Sequence, residues 1–293
     1  MNKNLISERF QALQNSICEG LEKADGKSRF IEDIWSRDGG GGGRTRVISK
    51  GNIFEKGGVN FSAVSGKTPP QMKSESLGDQ FFATGVSIVI HPENPWVPII
   101  HMNVRYFETD GGIFWFGGGI DLTPIYIIDE DAVFFHKTLK ETCDKHEAGF
   151  YSRFKNWADE YFFLSHRSET RGIGGIFFDH LGKNGENMES CLKFTFDVGE
   201  TFLKCYLPIV DRRKNMPYGE KERQWQAIRR GRYTEFNLIH DRGTRFGLET
   251  GGRTESILMS LPPNATWEYR HEPSTGSPEA QTLEKLVKGF DWV

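Results

Sequence analysis

Three polar residues alternate with apolar ones in the segment 99–106 (IIHMNVRY). Alternate side chains of a β-strand point to opposite faces, so His101, Asn103 and Arg105 would share one face at intervals of about 7 Å. This row combines a group that can carry a proton, a neutral amide and a permanent cation. Such a row suits binding of a carboxylate beside acid–base chemistry, and a merely solvated strand face is the alternative.

The preceding segment, 84–91 (TGVSIVIH), predicts a partner strand with the same pattern. Ser87 and His91 would lie on one face, with valine and isoleucine side chains on the other. A Pro/Asn turn (HPENP) separates the two segments, which is typical of a hairpin. Because both predicted strands have one polar and one apolar face, the solvated-face alternative is weakened.

Asp121 follows an aromatic strand and the glycine triplet Gly117–Gly119. Glycines in a strand allow close approach of a ligand or of another strand. Asp121 is therefore a candidate for a carboxylate that faces a ligand. The alternative is that it caps a turn after the glycines.

Arginines are concentrated in the last third of the chain, at 229, 230, 232, 242, 245 and 253. Arg253 follows Gly251 and Gly252, where backbone N–H groups could also reach an anion. Arginine pairs with carboxylates through two parallel hydrogen bonds. A solvated basic face and a nucleic-acid site are the alternatives, and the net charge of -3 argues against the second.

The composition predicts a soluble protein with a single domain spanning residues 1–293. Hydrophobic residues make up 37% and charged residues 26% of the chain, and we find no internal repeat or linker. No apolar run reaches the roughly 20 residues of a membrane span, and the N-terminus has no secretory signal pattern. The four cysteines form no CxxC pair, which favours reduced thiols and argues against an Fe–S site.

The element pattern predicts an α+β fold, in which a large, mostly antiparallel β-sheet is covered by α-helices. Apolar spacing indicates a helix over 5–24, and the glycine run 39–43 indicates a mobile loop. The further predicted strands are 112–119, ended by its glycines, 172–179, 233–239 and 254–261, and a loop is predicted at 65–78. The further predicted helices are one from Asp129, one at 151–165, one at 186–207 stopped by Pro208, and one opened by Pro217 and ending near Arg230. The core positions of the helix from Asp129 would be Val133, Phe135, Leu139 and Cys143.

Four segments together resemble the oxygen-dependent coproporphyrinogen III oxidase family. They are GVSIVIHPENPWVPIIHMNVRYFET, WFGGGIDLTPIY, GIGGIFFDHL and RRGRYTEFNLIHDRGTRFGLETGGRTESILMSLPP. The resemblance implies a flat antiparallel sheet flanked on both faces by helices, a homodimer and no organic cofactor. It also implies that O₂ is the co-substrate in converting two propionates of coproporphyrinogen III to vinyl groups. The products would be protoporphyrinogen IX, CO₂ and hydrogen peroxide, in heme biosynthesis.

The resemblance also implies roles for individual residues. His101 matches a proposed proton donor or acid–base group, and Asp121 matches a carboxylate thought to face the pyrrole nitrogens. The substrate-binding positions would be Ser87, Asn103, Val104, Arg105, Gly251, Gly252 and Arg253. The region from Tyr233 to Asn264 resembles the part that forms the dimer interface, and the absence of the long extension of mitochondrial members implies a cytoplasmic location.

Four histidines match positions proposed as divalent-metal ligands, such as for Mn²⁺, in bacterial members: His91, His101, His136 and His166. Their spacing does not suggest one compact site, since the two closest in sequence are ten residues apart. We therefore expect an enzyme that needs no metal.

Three other functions remain as alternatives. The oxygen-independent enzyme for the same reaction needs a cysteine cluster for Fe–S chemistry, which this chain lacks. A tetrapyrrole carrier would bind without turnover and would not need a proton-transferring histidine. A nucleic-acid-binding protein would show strongly salt-dependent affinity.

Overall fold

One seven-stranded antiparallel sheet forms the centre of the molecule. The structure is a computed structural model that describes residues 2–68, 78–183, 185–249 and 251–293. The strand order is β1-β2-β3-β4-β5-β6-β9, and each neighbouring pair is antiparallel. The strands are β1 (Ile31–Ser36), β2 (Gly41–Ser49), β3 (Phe54–Lys67), β4 (Gln80–Pro92), β5 (Ile99–Thr109), β6 (Phe114–Thr123) and β9 (Gly174–Leu181), with a separate short pair, β7 (Phe163–Leu164) and β8 (Glu169–Thr170).

Helices flank both faces of this sheet, which confirms the predicted α+β class. They are α1 (Lys3–Asp25), α2 (Asp129–Asp144), α3 (Phe150–Tyr161), α4 (Met188–Arg213), α5 (Glu220–Glu235), α6 (Arg242–Glu249), α7 (Thr254–Leu258) and α8 (Pro278–Lys285), with one π-helical turn at Phe236–His240. Helix α1 packs on β3 and β4, and α4 packs on β5 and β6. Helix α7 lies against the opposite face, where Ser256 hydrogen-bonds to Thr45 of β2.

The two faces of the sheet differ in chemistry, as the alternation predicted. The apolar face includes Ile88, Ile100 and Met102, which are fully buried under α1 and α4 in the main hydrophobic core. The polar face contains the alternating partners of these residues, including Ser87 and His101, and it is partly exposed. The predicted hairpin is confirmed as β4 and β5, with Ser87 directly opposite Asn103.

The C-terminal end of α1 is attached to the sheet by Asp25. The predicted helix at 5–24 is confirmed, and it ends at Gly26 in the left-handed conformation (φ 74°) that favours glycine. The buried carboxylate of Asp25 accepts hydrogen bonds from the backbone N–H groups of Lys27, Ser28, Asn52, Ile53 and Phe54. Burial alone would raise the pKa of Asp25, but these hydrogen bonds hold it below its ordinary value.

We predict that Asp25→Asn lowers the free energy of unfolding by about 2 kcal/mol at neutral pH, because the backbone donors lose a charged acceptor. The folded-state pKa is depressed, so this stabilisation is present above about pH 4, the unfolded value, and is lost as pH falls through the folded pKa. Urea unfolding of both proteins at pH 7 and pH 3 measures it. Glu19→Gln, on the exposed side of α1, is the control. An unchanged stability at pH 7 would contradict the role of Asp25.

Two predictions based on glycine were wrong. The run 39–43 is not a loop, because Gly41 to Gly43 belong to β2 and only residues 37–40 form the turn after β1. A side chain at Gly43 would lie 2.3 Å from the ring of Trp35, so this glycine lets Trp35 lie across the strand. Likewise the triplet Gly117–Gly119 does not end its strand, since β6 continues to Thr123.

Helix boundaries also differ from the predictions. Asp129 does not cap α2, whose N-cap is Ile128, and Val133 is 40% exposed while Phe135, Leu139 and Cys143 are buried. Pro208 lies inside α4 instead of stopping it. The buried residues Ile209 and Val210 that follow it provide packing to offset the missing backbone hydrogen bond.

The last third of the chain is helical where strands were predicted. Pro217 does not open α5, which begins at Glu220 and continues to Glu235, followed directly by the π-helical turn. Residues 254–258 form α7 rather than a strand. The predicted helix at 151–165 ends earlier, as α3, and the strand at 172–179 is β9. Of the predicted loop at 65–78, β3 includes residues up to Lys67, and residues 69–77 lie outside the described residues.

Candidate functional site

A continuous polar row crosses the polar face of the sheet. Thr45, Asn60, Ser87 and Asn103 are directly opposite one another on β2 to β5, and Gly119 of β6 continues the row. Helix α7 covers the β2–β3 end, where Asn60 donates to the carbonyl of Ser256 at 2.6 Å. The row is therefore covered over β2 and β3, while Ser87 and Asn103 on β4 and β5 stay partly exposed and Gly119 on β6 is buried.

The floor beside this row is formed largely by backbone. Gly85 and Gly117 lie on either side of Arg105 in the register, and Gly119 lies beside Asn103. Beyond Arg105 the same face continues as a line of stacked rings, with centroids 4.2 to 5.6 Å apart, formed by Phe81, Phe107, Trp115 and His180. Glycine positions bordered by aromatic rings suit a flat, largely apolar ligand.

His101 and Asp121 are directly opposite each other on β5 and β6. His101 Nδ1 lies 2.7 Å from Asp121 Oδ1, so the carboxylate favours the tautomer in which Nδ1 donates. The imidazole is 20% exposed, and Nε2 is then the nitrogen that can exchange a proton with a ligand. The alternative interpretation of Asp121 as a turn cap is wrong, because it lies inside a strand.

Arg171 lies behind Asp121, in the connection between β8 and β9. It donates to both carboxylate oxygens, with Nη2–Oδ1 and Nη2–Oδ2 distances of 2.8 and 2.7 Å. Asn237 accepts from Nη1 at 3.0 Å, and the guanidinium lies over the rings of Phe162, Tyr233 and Phe236. Sequence reasoning missed Arg171. The sequence did contain one indication of its role, because Arg171 is a cation directly before a glycine-rich apolar strand.

The electrostatics of Asp121 follow from this pairing. Burial alone would raise its pKa, but the adjacent Arg171 guanidinium and the His101 hydrogen bond hold the pKa below the ordinary value. Asp121 is 1% exposed and both of its oxygens are engaged. As placed, it orients His101 and balances its charge. Direct contact with pyrrole nitrogens stays a prediction and would require these partners to move.

The two candidate carboxylate-binding arginines lie over different strands. Arg105 on β5 forms an ion pair with Asp179 of β9 (Nη2–Oδ2 2.8 Å) and its side chain is 40% exposed. Arg253, at the start of α7, forms an ion pair with Asp33 of β1 and donates to Ser256. Neighbouring strands are about 4.8 Å apart, which places the two anchors about 14–19 Å from each other.

Not every residue predicted to bind substrate can do so through its side chain. Val104 points into the apolar face and is fully buried, so only its backbone could meet a ligand on the polar face. Gly251 adopts φ +70°, in the region that favours glycine, and Gly252 donates its backbone N–H to Gly247. The pair thus forms the turn that precedes Arg253.

The four histidines do not form a metal site. His91 Nε2 lies 2.8 Å from the Ser260 carbonyl, and His136 contacts the Tyr151 hydroxyl and the Ile173 carbonyl. Burial lowers the pKa of both His91 and His136 to about 3, which keeps these rings neutral. His166 is hydrogen-bonded to His240 and Glu235. Within the described residues, no group of three or more metal-binding side chains could hold an ion, so the four histidines that the resemblance implies are not assembled around one metal position.

Three of the four arginines of α5 are structural. Arg229 pairs with Glu169, Arg230 with Glu55, and Arg232 with Glu235, and both Arg229 and Arg230 are buried. The alternative interpretation, in which these three residues form a solvated basic face, is therefore wrong. The same pairing leaves them unsuited to a nucleic-acid backbone.

One polar face of the antiparallel sheet therefore carries the His101–Asp121 pair and Arg105, and Arg253 at the start of α7 lies over the same face. The chain matches the family model described as coproporphyrinogen III oxidase over residues 5–292, and it belongs to that family. The protein is thus an oxidoreductase of heme and porphyrin biosynthesis whose family substrate is coproporphyrinogen III. In the part of the chain that the structure describes, no helix is long and apolar enough to cross a membrane.

We predict that Arg171→Met lowers the free energy of unfolding by about 3–5 kcal/mol, because it leaves the Asp121 carboxylate buried without its cation. Adding Asp121→Leu should recover most of this loss, since both charges are then absent. Arg167→Met, which removes a 39% exposed ion-paired arginine nearby, should cost less. Urea unfolding of the four proteins tests the idea, and equal destabilisation of the single and double variants would refute it.

Proposed function

We propose that this enzyme is the oxygen-dependent form, which oxidatively decarboxylates two propionates of coproporphyrinogen III to vinyl groups. In each cycle one propionate loses CO₂ and a hydride equivalent. O₂ takes up these two electrons with two protons, one from the substrate and one from the medium, to give hydrogen peroxide. Two cycles yield protoporphyrinogen IX. The observation that supports this most is that His101 and Arg105 lie on either side of Asn103 on the polar face of β5, where all three side chains are partly exposed.

Substrate binding is assigned to the two separated arginines. Arg105 and Arg253 would each bind a propionate, and Ser87 and Asn103 between them would hydrogen-bond to the ligand. A macrocycle with carboxylates on its rim matches two anchors across the polar face. The rings that follow Arg105 would contact its apolar edge.

Proton transfer is assigned to His101. With Nδ1 held by Asp121, Nε2 would accept or return a proton at the pyrrole nitrogen or the propionate β-carbon. The positive charge that then forms on the imidazole lies 2.7 Å from a buried carboxylate whose orientation is fixed by Arg171. Asp121 would therefore lower the energy of the charged state without touching the substrate.

The substrate itself supplies the electrons in this proposal. The reduced, electron-rich macrocycle would react with O₂ directly, so no flavin or other organic cofactor is assigned. We also propose that the enzyme is a cytoplasmic homodimer. The predicted interface region from Tyr233 to Asn264 supports this, because four of its apolar residues are more than 40% exposed: Leu238, Ile239, Phe246 and Leu248.

To test the proposal, the enzyme and coproporphyrinogen III are prepared anaerobically. O₂ is then added in controlled amounts and its uptake is measured. We expect one O₂ consumed and one hydrogen peroxide formed per vinyl group, and no turnover without O₂. Binding with no O₂ uptake would instead identify a tetrapyrrole carrier. Turnover without O₂ would place the protein with the oxygen-independent reaction.

Arg105→Ala should lower kcat/KM by about ten- to a hundredfold, since a charged hydrogen bond to a substrate carboxylate is lost. The fold should survive, because the side chain lies on the open polar face. The control is Arg29→Ala, whose side chain is 67% exposed near the end of α1. Steady-state kinetics together with thermal unfolding distinguish loss of binding from loss of structure, and near-native kinetics would remove Arg105 from the carboxylate-binding role.

Exhaustive chelation should leave the activity intact. The reason is that His136 and His166 use both ring nitrogens for hydrogen bonds within the protein, and His91 uses Nε2. Activity before and after chelation, with elemental analysis of the protein, is the measurement. Loss of activity that Mn²⁺ alone restores would show that these histidines rearrange around a metal.

A further inference from the structure

The ion pair between Arg105 and Asp179 crosses an entire strand. Arg105 lies on β5 and Asp179 on β9, while β6 runs between them. The two side chains meet above Gly117. A Cβ atom at this position would lie 2.6 Å from Asp179 Oδ1 and 2.9 Å from Arg105 Nε and Nη2. The absence of a side chain at Gly117 therefore leaves room for the pair in this geometry, and any larger residue would make both side chains shift.

Asp179 is fixed in an orientation that presents one oxygen to Arg105. Its Oδ1 accepts the backbone N–H of His180 at 2.9 Å, and its Oδ2 contacts Arg105 Nη2. The Asp179 side chain is half as exposed as that of Arg105, 20% against 40%. Asp179 thus occupies the guanidinium at Nη2 and Asn103 Oδ1 accepts from Nη1 at 3.4 Å, while the Arg105 side chain stays 40% exposed and can be reached by a ligand.

We propose that Asp179 is a resident counter-ion that sets how strongly Arg105 binds a substrate carboxylate. The inference rests on the proposed function. A propionate that approaches Arg105 must share the guanidinium with Asp179 or displace it, so part of the attraction is cancelled. When the propionate leaves as CO₂, Asp179 neutralises Arg105 again and the decarboxylated edge is free to move. Asp179 acts through Arg105 and is a positioning and specificity residue.

Asp179→Asn removes the charge but keeps an oxygen that can accept from His180, so the end of β9 should keep its conformation. The probe is coproporphyrin III, the oxidised tetracarboxylate, whose aromatic ring cannot undergo the reaction. We expect its dissociation constant, from fluorescence quenching, to fall about three- to tenfold in the variant. KM for coproporphyrinogen III should fall with it. The gain should shrink as salt concentration rises.

Two further variants make the test specific. In an Arg105→Ala background, Asp179→Asn should have little effect, since Asp179 then has no substrate-binding guanidinium to neutralise. Asp211→Asn removes the same charge from an ion-paired aspartate on α4, on the opposite side of the sheet, and should leave binding unchanged. If Asp179→Asn fails to tighten binding, or tightens it equally without Arg105, the inference is wrong. If the wild type neither binds the probe nor consumes O₂ with coproporphyrinogen III, the proposed function is wrong and the inference falls with it.

Discussion

The register of β4, β5 and β6 constrains both the core and the candidate site. Side chains alternate along each strand, so the register that buries Ile88, Ile100 and Met102 also places Ser87 and His101 on the opposite face. A slip of one residue would exchange the two sets. The hydrophobic free energy of the core therefore maintains the geometry of the polar row, although none of its polar side chains contributes much to that free energy.

The buried pair of Asp121 and Arg171 adds a second constraint at one end of this row. A carboxylate that is 1% exposed is tolerated only with a partner, and the bidentate guanidinium provides one. Arg171 is itself held by Asn237 of the π-helical turn and by aromatic rings from α5 and the residue after α3. The position of His101 consequently depends on elements far apart in sequence. The side chain of His101, which lies within a strand, is thus oriented by neighbouring elements and not by a loop.

The parts of this architecture that follow from local pattern could be predicted. Alternation identified the β4–β5 hairpin and its two faces, and helical spacing identified α1. The burial of Asp121 could not be predicted, because it depends on an arginine fifty residues away in a connection between two strands. The strand prediction for the last third of the chain was wrong for a related reason. Tyr233 and Phe236 favour a strand by residue type, but they lie in a helix and a π-helical turn, where their rings are buried around Arg171. Tertiary contacts override such weak propensities.

The charges of the polar face suggest how it can recognise a polyanion without a basic field. Each of its three arginines discussed above already has a carboxylate partner: Arg105 with Asp179, Arg253 with Asp33, and Arg171 with Asp121. These three pairs sum to no net charge, in keeping with a chain whose net charge is -3. Long-range attraction would then contribute little, and selection would depend on the spacing of donors across the polar face. Nucleic acids and other polyanions bind mainly through summed charge. Under the proposed function, widely separated arginines with neutralised charge would discriminate against them while still accepting a ligand whose carboxylates match that spacing.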